Sequence, residues 1–460
     1  MPRYTVKPPL TSQRNYTFGD PAHRGSDIVR LGRLAEAGQM VDVNFDTSGE
    51  FVVGIFGKRG SGKSYCLGAF LESLCTTKQD TTIGRCARSR AVLLFDTLNI
   101  FWTTAQALTE DDKEAFPDEW RAMTAWGIVP PETDAAVYVP RGFGSESLPG
   151  VLEFALPPST LTVDDWADLI EADLYSDRVG QLLFDVYTKV TTDGWSDGQA
   201  AHDAIPEFEV DDLLECLQND ADIQNYYNSE TIRALAQRIR GVGALSFFGG
   251  THSSLSALLQ PGRLSIIQLN RLPDTLRSVL VSVLMRRVLA ERAEASELEK
   301  QLRLNRRLSA DDRKRLESRV AELVPPTVVA LDEAQNVLPS ERGTKATQTI
   351  IKYVREGRNH GLSFIFTTQQ PSAIDARILA QVDTIVGHKL TIAADVRRFE
   401  ENLKSRNPDA VQTGGRALAF ADWLRSLSQG QAIVSNTEEE RNFVIDVRPR
   451  VCLHGGQGAF

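Results

Sequence analysis

The segment Phe51 to Leu74, FVVGIFGKRGSGKSYCLGAFLESL, constrains the fold more than any other stretch of the chain. Its first six residues form a continuous apolar run closed by glycine, the pattern of a strand buried on both faces. Beyond the glycine-rich turn, Leu67, Phe70, Leu71 and Leu74 recur at helical spacing,. Between strand and helix, Gly57, Gly62, Lys63 and Ser64 satisfy GxxxxGK[ST], with Gly60 and Ser61 inside the loop,. Glycines let successive N–H groups turn inward onto phosphate oxygens, and the helix N-terminus adds partial positive charge. Lys63 is expected to reach the β- and γ-phosphates of ATP, and Ser64 to ligate magnesium. The competing reading, a glycine turn without a nucleotide, leaves the flanking strand and helix as coincidence.

The alternation of strand and helix continues. Apolar strand patterns recur at Ala91 to Phe95, Leu264 to Leu269, Thr327 to Leu331, Leu362 to Thr367, Thr384 to Val386 and Gln431 to Val434, with helical signals between most of them. This predicts an α/β fold with a mainly parallel sheet covered on both faces. The expected core comprises residues 51–102 and 261–460, including a charged helical pair over 283–322, broken near Ser309, and a tail over 430–460. Residues 103–260 read as a mainly helical, acidic insertion. Residues 1–50 carry turn signals and two strands at most, an N-terminal arm.

Composition narrows the function classes. No apolar run approaches bilayer length, the N-terminus lacks the apolar stretch of a secretory signal, and the five cysteines form no CxxC pair,. The expectation is a cytoplasmic protein with no membrane and no zinc site. The six histidines show no ligand spacing,. A net charge of −10 gives no whole-molecule attraction to nucleic acid, so any DNA contact must be local,.

Two further segments carry chemistry. TVVALDEAQ places Asp332 and Glu333 at the carboxyl end of an apolar strand, where open parallel sheets bind ligands,. Asp332 there holds magnesium through water, and Glu333 polarises the attacking water as general base. The bland alternative makes both residues N-terminal acids of the next helix. LSFIFTTQQP ends a later strand, so Gln369 serves either as a γ-phosphate or water sensor or as a cap for exposed backbone,. Arg355 and Arg358 flank Gly357 at a helix end. They are either solvated and dipole-stabilising or, in a ring, the arginines a neighbour supplies to the transition state.

With GKRGSGKSY, LDEAQNVLP, REGRNHGLSFIFTTQQPSAID, GRLSIIQLN before a long helix, and the terminal VRPRVCLHGG, most of the chain resembles the HerA–FtsK superfamily of ring-shaped DNA-translocating ATPases, in its HerA-like branch. The resemblance implies a RecA-like (ASCE) P-loop core and a homohexamer with ATP and Mg2+ at subunit interfaces. It also implies duplex DNA in a central channel, Glu333 as catalytic base, Gln369 as sensor, and Arg355 or Arg358 acting in trans. The marker GKRGSGKSY adds Tyr65 to the ATP-binding set. Relatives of this branch act with a separate nuclease or other effector in DNA-end processing or anti-phage defence, and either role is expected here. Three departures stand out. Only about fifty residues precede the phosphate loop, so the relatives' N-terminal β-barrel is absent or reduced. FDTLNIF replaces their Asp-Pro-His-Gly, which opens the role of Asp96. Gln370 stands where many relatives have arginine. The loop Ser340 to Lys345 is the candidate DNA contact, through Arg342 and Lys345, whereas the alternating charges of Arg303 to Arg319 read as a solvated face. Two other readings stand beside the motor. One is a nucleotide-gated scaffold that regulates an effector, the other DNA pumping in conjugation or partition through a membrane partner.

Overall fold

A computed structural model of the chain describes residues 14–19, 27–35, 40–144, 150–249, 252–341, 343–404, 410–413, 416–439 and 442–455. It divides into two compact units: Met1–Val137 with Leu255–Asn270 and Met285–Phe460, and Tyr138–Ser254 with Arg271–Leu284.

The first unit is built on one sheet. Its main strands are β1 (Asn15–Phe18), β2 (Ile28–Leu34), β3 (Asp42–Asp46), β4 (Val52–Phe56), β5 (Ala91–Asp96), β6 (Leu264–Gln268), β7 (Thr327–Leu331), β8 (Leu362–Thr368), β9 (Thr384–Gly387), β10 (Gln431–Asn436) and β11 (Phe443–Val447). They lie in the order β1-β3-β2-β11-β10-β9-β4-β8-β7-β5-β6. From β9 to β6 every neighbour is parallel, whereas β9-β10, β10-β11, β11-β2 and β2-β3 pair antiparallel. The parallel block contains strands whose sequences are mainly apolar, and every residue of β4, β5, β7 and β8 is buried. Such a block needs cover on both faces. Helices α1 (Lys63–Leu74), α2 (Asp274–Leu304), α3 (Ala310–Glu322) and α4 (Lys345–Glu356) are the long ones in or entering this unit. The break between α2 and α3 is set by Ser309, whose hydroxyl caps α3 by accepting from the Asp312 N–H,.

Register places the strand ends level. Thr368 of β8 pairs with Phe56 of β4, Leu331 of β7 pairs with Phe366, and Leu331 also pairs with Phe95 of β5. Gly57 and Asp332, which follow β4 and β7, and Asp96, which ends β5, therefore emerge along one edge, with Thr367 level with Asp332.

The N-terminal strands continue the same sheet, and the described residues form no closed barrel. The units divide differently from the boundaries at 103 and 260 drawn from composition. Residues 103–137 belong to the first unit, because Leu108, Met123 and Ile128 form a buried cluster with Ile83, Val451 and Cys452. Tyr138–Ser254 is the mainly helical part. Its helices are capped by Thr162, Asp177, Asp220 and Asn228, and bury Trp166, Leu182, Leu183, Leu213, Leu217, Leu235 and Ile239,. No helix among the described residues is long and apolar enough to cross a membrane.

Candidate nucleotide site

The loop between β4 and α1 has the backbone that its glycines permit. Gly60 and Gly62 take φ of 75° and 111°, the left-handed region where a side chain is strained,. Gly57 is required for a different reason: an added Cβ would collide with the Ser61 hydroxyl and lie 2.8 Å from the Cβ of His388. Ser61 is buried and braces the loop, its hydroxyl donating to the Lys58 carbonyl at 2.8 Å. The loop is a preformed cradle whose walls would be filled by any Cβ at Gly57.

Lys63, the first residue of α1, is buried and extends to the acidic pair, where its ammonium lies 2.5 Å from Glu333 Oε1. Gln369 donates to the same oxygen at 2.6 Å, and Gln335 donates to Oε2 at 2.7 Å. Ser64 Oγ faces Asp332 Oδ1 at 3.4 Å. Thr367 binds both members of the pair: its hydroxyl donates to Asp332 Oδ1 at 2.6 Å and accepts from the Glu333 N–H at 3.0 Å. Lys63, Ser64, Asp332, Glu333 and Gln369 thus meet at the carboxyl edge of the sheet.

Two departures from ordinary protein structure mark this edge. Glu333 adopts φ 51° and ψ 55°, a left-handed conformation that costs a residue with a side chain about 1–2 kcal/mol,. Asp332 is fully buried, and its Oδ2 has no hydrogen-bond partner. Burial pushes its carboxyl up to about 7, opposed by Lys63 and the Thr367 hydroxyl and reinforced by Glu333 and Asp96,. An orphaned carboxylate oxygen beside a serine hydroxyl is a hard-oxygen donor set that suits magnesium. A divalent cation there would also draw the proton off Asp332.

The other expected residues fall as follows. Tyr65 is turned toward the C-terminal tail: its hydroxyl accepts from the Arg450 N–H at 2.8 Å, and its ring meets that of His454 edge-on. Arg358 is at the opposite edge of the sheet, where it forks onto Asp383, and Asp383 in turn accepts from the N–H of Val52, the first residue of β4. Arg355 is exposed in the last turn of α4, before the same edge. Five residues of β4 separate that edge from the phosphate loop, roughly 16 Å of strand. Neither arginine joins the site of its own chain. Arg342 lies outside the described residues, and Lys345 opens α4 with its side chain likewise outside them. Asp96 is consumed by its own turn, accepting from the N–H groups of Leu98, Ile100 and Phe101.

Sequence reasoning passed over Thr367, Gln335 and His388. His388 lies fully buried under the loop, with Nδ1 against the Gln431 carbonyl at 2.9 Å and Nε2 unpartnered. Burial lowers its pKa to about 4, so it is neutral beside Lys63,. Only the polar run TTQQ after an apolar strand hinted at Thr367, and nothing in GHK marked His388.

Residues 29–288 match the family described as helicase HerA, central domain, and residues 282–408 match the Zonular occludens toxin (Zot) family. A DNA double-strand break repair helicase HerA from Pyrococcus furiosus is 28% identical over 214 residues, 45% of this chain and 36% of that protein. Its counterpart from Sulfolobus acidocaldarius is 23% identical over 173 residues, 38% of this chain and 29% of that protein. The chain therefore spans about a third of the length of these curated relatives. VirB4 of Thermoanaerobacter pseudethanolicus superposes with a TM-score of 0.49 at 14% identity, covering 91% of this chain and 96% of that one. With more than half of its residues inside the HerA central-domain match, the chain belongs to the HerA helicase family.

Proposed function

We propose that this protein is an ATP-driven motor that translocates duplex DNA as a homohexamer, with ATP and Mg2+ bound between subunits. The observation that carries the reading is the division of labour across one sheet. Lys63, Ser64, Asp332, Glu333 and Gln369 converge at the carboxyl edge, while Arg355 and Arg358 sit at the other, out of reach of their own site. Two arginines held at the far edge, out of reach of their own site, are available to the site of a neighbour in a ring.

Each residue then has a task. The backbone of Gly57 to Gly62 binds phosphate oxygens, with Tyr65 fixing the first turn of α1 against the tail. Phosphate draws the Lys63 ammonium from Glu333. Ser64 and Asp332 hold magnesium, which neutralises charge on the phosphates. Gln369 senses the γ-phosphate, and Glu333 accepts the proton of the attacking water. Arg355 or Arg358 of the adjacent subunit stabilises the transition state, and Arg342 and Lys345 touch DNA. The similarity to DNA double-strand break repair helicases supports the DNA side of the reading. In this reading the ring works in the cytoplasm with a separate nuclease or other effector, in anti-phage defence or DNA-end processing.

A specific observation favours the scaffold alternative. Residues 138–254 hold 20 Asp and Glu against 6 Lys and Arg, so the remainder of the chain holds 41 against 45. The whole acidic excess lies in the helical part, which repels DNA and suits a protein partner.

ATP turnover by the full chain, with and without blunt duplex DNA, separates the two readings. Stimulation by DNA is expected of the motor; turnover indifferent to DNA leaves the scaffold. Mixing Lys63→Ala with Arg358→Ala or Arg355→Ala subunits tests the ring. Recovered activity is expected in one mixture, and failure in both overturns the trans assignment.

A further inference from the structure

We infer that Gln335 is a positioning residue for the general base, holding Glu333 by Oε2 so that Oε1 is the atom that receives the proton, with Thr368 as its anchor. The inference rests on the ATPase reading and adds to it two residues and an assignment of atoms.

The three donors on Glu333 are not equivalent. Lys63 and Gln369 both sit on Oε1, at 2.5 and 2.6 Å. Both have business with phosphate: an ammonium moves to the higher anionic charge, and Gln369 emerges directly from the end of β8 beside the loop. Oε1 is thus the oxygen that bound ATP vacates. Gln335 alone sits on Oε2, at 2.7 Å.

Gln335 is also tethered in a way the other two are not. Its amide oxygen accepts from the Thr368 hydroxyl at 2.8 Å, and that hydroxyl accepts from the Gln370 N–H at 3.0 Å. A carboxylate oxygen can only accept, so the Gln335 NH2 is the end that faces Glu333,. The Gln335 amide oxygen is then turned to Thr368, whose hydroxyl donates to it while accepting from the Gln370 N–H. The polarity of the chain is set by the carboxylate at one end and is compatible with the peptide N–H at the other. Glu333 needs such a hold because its left-handed backbone aims the side chain without help from regular secondary structure,.

The reaction balances with these atoms alone. Water oxygen forms a bond to the γ-phosphorus, the bridging P–O bond breaks with its electron pair leaving on ADP, and the water proton passes to Oε1. Oε2 stays on Gln335 throughout, so the carboxylate does not rotate away from the water.

The test measures kcat and KM for ATP in the full chain, together with binding of a non-hydrolysable ATP analogue. Gln335→Leu is expected to lower kcat about tenfold to a hundredfold, the scale seen when an outer partner of an active-site ligand is removed. KM and analogue binding should stay within about twofold, because the interaction acts on the chemical step. Thr368→Val should produce a smaller fall of the same kind. The double variant should be no worse than Gln335→Leu, because the two residues act through one chain of bonds. Gln335→His, which keeps one donor and one acceptor, and Thr368→Ser should restore most of the loss. Wild type and Glu333→Gln run alongside. A wild type without turnover overturns the ATPase reading and this inference with it. An active wild type with Gln335→Leu within about twofold of it in kcat overturns the inference alone, as does a loss carried in KM or a double variant whose losses add.

Discussion

Helix α1 has a buried cluster of charges at each end, and the two clusters differ in every respect except burial. Toward its C-terminal half, Glu72 is fully buried against Arg448 and Arg450, both at most 2% exposed. Glu72 receives four donors: Arg448 Nη1 at 3.3 Å, Arg450 Nε at 2.7 Å, and the N–H groups of Val451 and Cys452 at 3.0 and 3.2 Å. Arg448 also donates to the Arg30 and Ala69 carbonyls and to Ser73, and Arg450 to Thr104. At the other end, Asp332 keeps an orphaned oxygen and a raised pKa, and Glu333 a strained backbone. A buried charge is tolerated when its hydrogen bonds are filled. The first cluster meets that condition within one chain and fastens the tail to the helix. The second leaves Asp332 Oδ2 without a partner, and in the proposed function a divalent cation would fill that position.

The contrast predicts opposite phenotypes. Glu333→Gln should lower ATP turnover by about 10²- to 10⁴-fold, the contribution of a general base, while thermal stability stays near wild type. Near-normal turnover would remove Glu333 from the chemistry. Glu72→Gln should do the reverse, destabilising the fold by about 3–5 kcal/mol in denaturant titrations because two buried guanidinium groups lose their counter-charge. If the fold were as stable as wild type, the tail would not be held by this cluster.

A smaller effect concerns pH. The Asp332 carboxyl has its folded pKa raised to about 7, above the usual value near 4 of an unfolded chain,. Between those values the folded state binds more protons than the unfolded state, so the group makes stability fall as pH rises from about 4 to 7. Comparing unfolding midpoints at pH 5 and pH 8, Asp332→Asn should show a shallower decline than wild type without nucleotide. Equal slopes would place the titration elsewhere. Smallest of all, Arg358→Ala removes a partly exposed ion pair with Asp383 and should cost stability less than about 1 kcal/mol,. A large loss of turnover with so small a loss of stability is the signature expected of an arginine that serves the neighbouring subunit. A matched loss of both would return Arg358 to a structural role.

A second contrast separates the units by charge. The chain's net charge of −10 conceals a core close to neutral and a helical part that carries all of the excess. Overall charge therefore says little about whether the core can approach DNA.

Much of this was legible along the chain because it is written in short, contiguous patterns. The phosphate loop needs its glycines, lysine and serine within eight residues, the acidic pair follows an apolar strand directly, and each buried strand announces itself by a mainly apolar run. Those local requirements determined the α/β fold, the mainly parallel sheet, and Lys63, Ser64, Asp332, Glu333 and Gln369 as site candidates. What the tertiary structure alone decided depends on register between strands far apart in sequence. Thr367 bridges the acidic pair because β8 lies beside β7 with Phe366 opposite Leu331, Glu72 is neutralised by residues 376 and 378 positions away, and residues 103–137 join the core through Leu108, Met123 and Ile128. The partners of a buried charge are chosen by which backbones pack together, and no spacing within a single segment encodes that choice.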